Sequence, residues 1–464
     1  MILSITTVFF FILFLLGFKD KQKGLILLIL ITCFFSYFVE LFSMPSMMLW
    51  AKDAIILGIV FNIIVTSGFK KYPSSEVRNL TVLSLFIIIF SIASSILIEI
   101  PVIQIVSSSR YLYLYLILFL LLINTNFNPH PVRFFTILYW IILAQIPIAL
   151  IQSLFAIRGD FIGGTMGGIH ASGPISLTGI AFIFFIYFRH KYIKSSKFIL
   201  LWIAVYIVLL ALAESKVAIY VFIPIMYFYY FVIKRYTIYK IILRTLPLFL
   251  LLVVSAQLID TVNTRANFKS DYGGVFINNP LAPFEKRMQT MNEDAYIDSR
   301  ANELGATTGA KLNRLSSLGY VNYLLTTKDQ LSYGFGVGEM QGNSLFKGTY
   351  HDKGIFETMS TIVILESGLI GFIGWLFLLS YLFIINMRLL KNLASQSHDK
   401  WTMFVTLFNL INLCVSFIGI FYNHHFLTPS IGAIFWISNF YMLRYRLYYY
   451  NINVKSNNFD SKIL

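Results

Sequence analysis

Apolar runs of about 17 to 25 residues, each bounded by a short polar loop, fill most of this chain. That length spans the hydrocarbon core of a bilayer, where backbone groups must find partners within the segment. Helices satisfy this condition and unpaired strands do not, so the pattern predicts an all-α, polytopic membrane protein. Hydrophobic residues make up 58% of the 464 positions and charged residues only 12%. A soluble chain averages about half apolar and a quarter charged.

The runs fall at 2–18, 24–42, 54–69, 80–98, 111–127, 134–156, 175–189, 198–213, 217–233, 241–259, 367–387, 401–421 and 429–443. About twelve to thirteen transmembrane helices are therefore expected. The first run, from Met1 to Phe18, lacks a charged leading segment and a small-residue cleavage site, and reads as a retained helix. Cys33 and Cys414 both lie inside apolar runs and read as small hydrophobes.

Basic residues collect in alternate loops, around Lys19–Lys23, Lys70–Arg78, Arg133, Arg189–Lys197, Lys234–Arg244, Arg388–Lys400 and after Arg444. The intervening short loops hold only Lys52, Arg110, Arg158 and Lys216. The positive-inside rule makes the first set cytoplasmic, together with the C-terminus. The formal charge of +15 is then a topology signal, and no basic cluster carries a nucleic-acid motif. Four parts follow: an N-terminal transmembrane bundle at 1–259, a large exocytoplasmic loop at 260–355, C-terminal transmembrane helices at 356–447 and a cytoplasmic tail at 448–464. Within the loop, Leu312, Leu315, Leu318, Val321 and Leu325 recur at helical spacing, which predicts an amphipathic helix flanked by Arg314. The Tyr run before Asn451 matches an interfacial aromatic belt.

Titratable groups near the runs sit at their outer ends: Glu40, Glu99, Glu214 with Lys216, and Glu366. Such groups are costly in a membrane and usually functional. A secondary transporter would place polar, broken helices near the midplane in matched halves, and neither pattern is evident. The adjacent His424 and His425 cannot both face one point, and no metal site is expected. An outward, membrane-level cavity suits an enzyme acting on a lipid with a polar head.

Four stretches, in order, resemble the O-antigen ligase and polymerase superfamily: "RGDFIGGTMGGIHASGPISL" from Arg158, "AESKVAIYVFIPI" from Ala213, "RLSSLGYVNYLLTTKDQLSYGFGVGEM" from Arg314 and "ILESGLIGFIGWLFLL" from Ile364. The likeness covers roughly residues 150–390. It implies a GT-C-like fold and transfer of an undecaprenyl-pyrophosphate-linked oligosaccharide to an acceptor hydroxyl at the outer leaflet of a bacterial plasma membrane. No cofactor or metal is implied, because the polyprenyl pyrophosphate is itself the leaving group. The implied partners are the lipid-linked glycan, membrane lipids, a chain-length regulator and a flippase.

Carried over by position, Arg314 matches the loop arginine of the family and Lys216 stands where its first arginine would. Arg158 joins them as a glycan or phosphate ligand. Glu366 and Gly368 mark where the loop helix kinks into the span. The ligases' histidine, nine residues before that glutamate, corresponds here to Glu357, and the nearest histidine is His351. Both are candidate bases, and the departure favours polymerisation over ligation to lipid-A core, with lipid-linked glycan transport as the non-enzymatic alternative. Each residue also has an ordinary reading: Arg314 snorkelling from an interfacial helix, Lys216 capping a hairpin, His351 in an ordinary loop, Glu357 answering a helix dipole, Arg158 flanking a turn.

Overall fold

The computed structural model describes residues 2–42, 44–67, 74–127, 131–155, 164–166, 172–193, 199–212, 216–234, 314–340, 346, 348–350, 358–395, 400–422 and 426–460, with isolated positions between 237 and 250. Among them the only regular structure is helical. The chain runs through α1 (Ile2–Lys19), α2 (Lys21–Leu30), α3 (Ser36–Leu41), α4 (Ala51–Asn62), α5 (Ser75–Leu97), α6 (Val102–Ile123) and α7 (Pro131–Phe155). It continues through α8 (Ser172–Tyr192), α9 (Ile199–Leu212), α10 (Lys216–Tyr227), α11 (Arg314–Thr327), α12 (Met359–Ser395), α13 (Lys400–Tyr422) and α14 (Pro429–Asp460). Seven described helical stretches are long and apolar enough to cross a membrane, so this is a multi-pass membrane protein: Lys21–Val39, Met47–Thr66, Ser75–Leu97, Val102–Ile123, Pro131–Gln152, Met359–Lys391 and Lys400–Tyr422.

Every apolar run except 241–259 coincides with a described helix, and that run lies largely outside the described residues. Two boundaries differ from expectation in a way that matters. The run read as 111–127 is a helix from Val102, so Arg110 belongs to the third turn of α6 and not to a loop. Gln104, Ser107, Ser108, Ser109 and Arg110 lower its hydropathy without breaking it, since none of them stops a helix. Likewise α12 begins at Met359, not 367, and places Glu366 inside a helix. At the far end α14 continues to Asp460, so the expected tail from 448 is helical through most of its length.

Local chemistry sets several helix ends. Asp20 caps α2 by accepting from the backbone N–H groups of Gln22 and Lys23, at 2.9 and 3.1 Å. Thr358 and Thr361 cap α12 reciprocally: each hydroxyl accepts from the other residue's backbone N–H, at 3.2 and 2.8 Å. The turn from α5 to α6 ends α5 in a Schellman motif, with Ile100 N–H donating to the Ser95 carbonyl and Glu99 N–H to the Ile96 carbonyl, both at 3.0 Å. Its left-handed residue is Glu99, at φ 64°. At the opposite end of α6, Arg444 of α14 donates to the carbonyls of Leu122 and Ile123, at 3.3 and 2.8 Å. That arginine replaces the partners that a helix C-terminus lacks.

Helix α13 lies at the centre, packed by α8, α12 and α14. Rings fill the space between α6, α12 and α14: Trp375 stacks on Tyr113 and on Phe426, and Phe119 meets Trp436 at 5.1 Å. Small residues permit the closest approach, where a β-carbon at Gly17 of α1 would stand 2.5 Å from the Ile55 carbonyl of α4. In a bilayer such packing replaces the hydrophobic driving force as the main glue.

Candidate functional site at the break in α12

Gly368 interrupts α12 with φ 65° and ψ −172°. In an unbroken helix, the N–H groups of Leu369 and Ile370 would donate to the carbonyls of Leu365 and Glu366. The break frees all four groups, which without partners in hydrocarbon would cost on the order of 10 kcal/mol. A strap formed by residues 331–340 answers each of them. Leu369 and Ile370 donate to the carbonyls of Leu331 and Ser332, at 2.9 and 3.2 Å. The Leu365 and Glu366 carbonyls accept from Phe335 and Gly336, at 2.7 and 3.0 Å. The strap thus takes over the bonds that the helix gives up.

Glycine makes the fit possible. A β-carbon at Gly368 would strike the Ser332 carbonyl, and one at Gly334 would stand 2.6 Å from the Gly368 nitrogen. The strap's own Gly334, Gly336 and Gly338 have φ of 75°, 95° and 97°, a region that side chains disfavour.

Side chains of α5 and α6 hold the strap from the other face. Val337 N–H donates to Ser95 Oγ at 2.8 Å, and that hydroxyl donates to the Ser91 carbonyl at 2.6 Å. Ser91 Oγ donates to the Ile87 carbonyl at 2.9 Å and accepts from Tyr113 OH at 2.7 Å. Having spent its single proton, Ser91 is the acceptor in its 2.9 Å contact with Ser367 Oγ.

Two carboxylates meet here, Glu366 from α12 and Glu339 from the strap itself. Glu366 is fully buried, and its Oε1 accepts from Met340 N–H at 3.2 Å. Glu339, 9% exposed, accepts from Gln104 Nε2 at 3.0 Å and from Thr349 N–H at 3.2 Å. Its carbonyl accepts from Tyr350 N–H at 2.9 Å, closing the loop from 339 to 350. Lys328 donates to Tyr350 OH at 3.0 Å and lies over the stacked rings of Phe335 and Tyr350. The residue that ends this held segment, Tyr350, immediately precedes His351 in the chain.

The break therefore collects Glu366 and Gly368 with the segment that follows α11. Arg314 is the first residue of α11, whose Ser317, Val321 and Leu325 are buried and which packs on α12. Lys216 opens α10. The side chains of these two cations lie outside the described residues, as do Arg158, His351 and Glu357 altogether. Of the glycine-rich loop, Gly164, Thr165 and Met166 are described, and they are buried against α7. Gln152 exchanges two 2.8 Å hydrogen bonds with the Gly164 backbone. Gln145 accepts from Thr165 N–H at 2.7 Å, and the Thr165 hydroxyl donates to the Cys33 carbonyl at 2.5 Å, in a π-helical turn between α2 and α3.

Sequence reasoning missed Glu339, Gln104, Ser91, Ser95 and Tyr113. The signal for Glu339 was present in "GFGVGE", where alternate glycines end in a lone acid. No group of three or more histidine, cysteine or acidic side chains able to hold a metal occurs among the described residues.

In comparison with known proteins, no protein-family model and no curated protein matches the chain.

Proposed function

We propose that the chain is a membrane glycosyltransferase that polymerises undecaprenyl-pyrophosphate-linked repeat units of a surface polysaccharide at the outer leaflet of the bacterial plasma membrane. The observation that carries this reading is the strapped break, which sets Glu366 and Glu339 beside the segment leading to His351, with α11, the helix that Arg314 opens, packed on α12. The ordered likeness of four stretches to the O-antigen ligase and polymerase superfamily supports it, and the large loop with its GT-C-like setting belongs to the same proposal.

In this reading an acceptor sugar hydroxyl attacks the anomeric carbon of the lipid-linked glycan. The bond from that carbon to the pyrophosphate oxygen breaks, and undecaprenyl pyrophosphate leaves. The hydroxyl proton passes to His351 or Glu357, whichever reaches it. Arg314 and Lys216 offset the charge that develops on the pyrophosphate, Arg158 binds phosphate or glycan, and a single displacement inverts the anomeric centre.

The test is a gel of surface polysaccharide from a deletion strain complemented with wild type, Arg314→Ala, His351→Ala or Glu357→Ala. Arg314→Ala at normal protein level should reduce the ladder to a single repeat unit, and the other two lanes identify the base. An unchanged ladder in the deletion strain would end the polymerase reading. Long lipid-linked chains that stay unattached in that strain would point to ligation to lipid-A core.

A further inference from the structure

Between the first turn of α4 and the third turn of α6, a charged cluster sits apart from the strapped break. Arg110 Nη2 stands 3.4 Å from Asp53 Oδ2, beyond ordinary hydrogen-bond range. Its guanidinium lies over the Trp50 ring, 5.5 Å from the centroid. A guanidinium offers five donors in a planar fork suited to two oxygens at once, and this contact uses one corner of it.

The surrounding groups are similarly underused. Neither buried carboxylate oxygen of Asp53 meets a hydrogen-bond partner on another described residue. The same holds for the hydroxyl of Tyr115, a residue 6% exposed and within electrostatic reach of both Asp53 and Arg110. Lys52 donates to the Leu49 carbonyl at 3.2 Å. Two cations against one carboxylate leave a surplus positive charge. Buried polar groups are ordinarily satisfied, and most strictly so at membrane depth, so a cluster of unmet ones calls for a further partner. The cluster is also open, with the Arg110 side chain 39% and Trp50 48% exposed.

We infer that Arg110, loosely held by Asp53 over Trp50, is a binding site for the phosphate of a lipid. A phosphate takes the guanidinium fork with two oxygens, displaces the Asp53 contact and finds the Lys52 charge nearby. Lateral approach between α4 and α6 leaves the acyl or prenyl chain against the apolar faces of the helices. Where that phosphate is the pyrophosphate of a lipid-linked glycan, the site extends the reading proposed above. An ordinary anionic phospholipid presents the same chemistry.

Trp50 supplies the readout. The full chain, purified in a neutral detergent, is titrated with farnesyl pyrophosphate, phosphatidylglycerol or farnesol while tryptophan fluorescence is followed, with Trp50→Phe isolating the Trp50 signal. Saturable change is expected with a phosphate-bearing lipid and none with farnesol. Arg110→Ala should weaken binding at least about tenfold, and Arg110→Lys less, because the charge survives without the fork. Asp53→Asn should tighten binding about three- to tenfold by removing the competing carboxylate. A response to farnesyl pyrophosphate alone assigns the site to lipid-linked pyrophosphate, and a response to both phosphate lipids assigns it to phospholipid headgroups generally. An equal response to farnesol, or binding weakened by Asp53→Asn, would overturn the inference, and Asp53→Asn keeps it testable should Arg110→Ala fail to fold. The titration needs no catalytic activity, so its outcome is separable from that of the polysaccharide gel.

Discussion

Tyr113 and Tyr115 stand two residues apart on α6 and belong to regions that treat polar groups in opposite ways. Tyr113 is joined through Ser91 to Ser367 at the break, where each freed backbone group has a partner. Tyr115 keeps an unmet hydroxyl beside Asp53 and Arg110. One region answers its freed backbone groups within the protein and is clasped. The other leaves donors and acceptors for something that arrives. Burial alone does not separate them, since both rings are buried; satisfaction does.

The comparison breaks most visibly at Gly368. Gly368→Ala forces a β-carbon onto the Ser332 carbonyl at a positive φ, and should cost about 3 kcal/mol or more. Equilibrium unfolding by SDS, followed by far-UV circular dichroism, would register this, and wild-type stability would show that the strap does not clasp the break. Next in size, Gln104→Leu removes the donor to Glu339 and leaves a buried carboxylate oxygen unmet, at about 1–3 kcal/mol on the same measurement. The smallest effects sharpen the contrast. Tyr113→Phe should cost about 1 kcal/mol because it deletes a made hydrogen bond. Tyr115→Phe should change stability by less than about 0.5 kcal/mol because it deletes none. Equal losses from the two would mean that both regions are structural, and the distinction would fall.

Helices were largely legible before any coordinates, because an apolar run of bilayer length admits little else. A kink at Gly368 is expected from the glycine and the family resemblance, as the point where the loop helix enters the span. The break instead lies within a helix that already begins at Met359. The start of α6 was not legible. Its first turns carry Gln104, three serines and Arg110, which look like a loop to a hydropathy reading, yet Gln104 bonds Glu339 of the strap and Arg110 pairs with Asp53 of α4. The clasp itself was invisible for a different reason. Backbone groups make its four central bonds, and backbone groups carry no residue signature. Glu339 is held by Gln104 of α6, far away in sequence, and by Thr349, ten residues on, and no periodicity links them.

The strap also precedes α12 in the chain, and this sets an order of events during synthesis. Residues 331–336 leave the ribosome before Leu365 and Glu366, so the groups that complete α12 already exist when that helix is made. A helix with a gap in its bonding enters the bilayer next to the segment that fills the gap, provided both end on the same side. Membrane insertion of α12 is thus coupled to correct delivery of the segment before it, and an error in the loop becomes an error in the span.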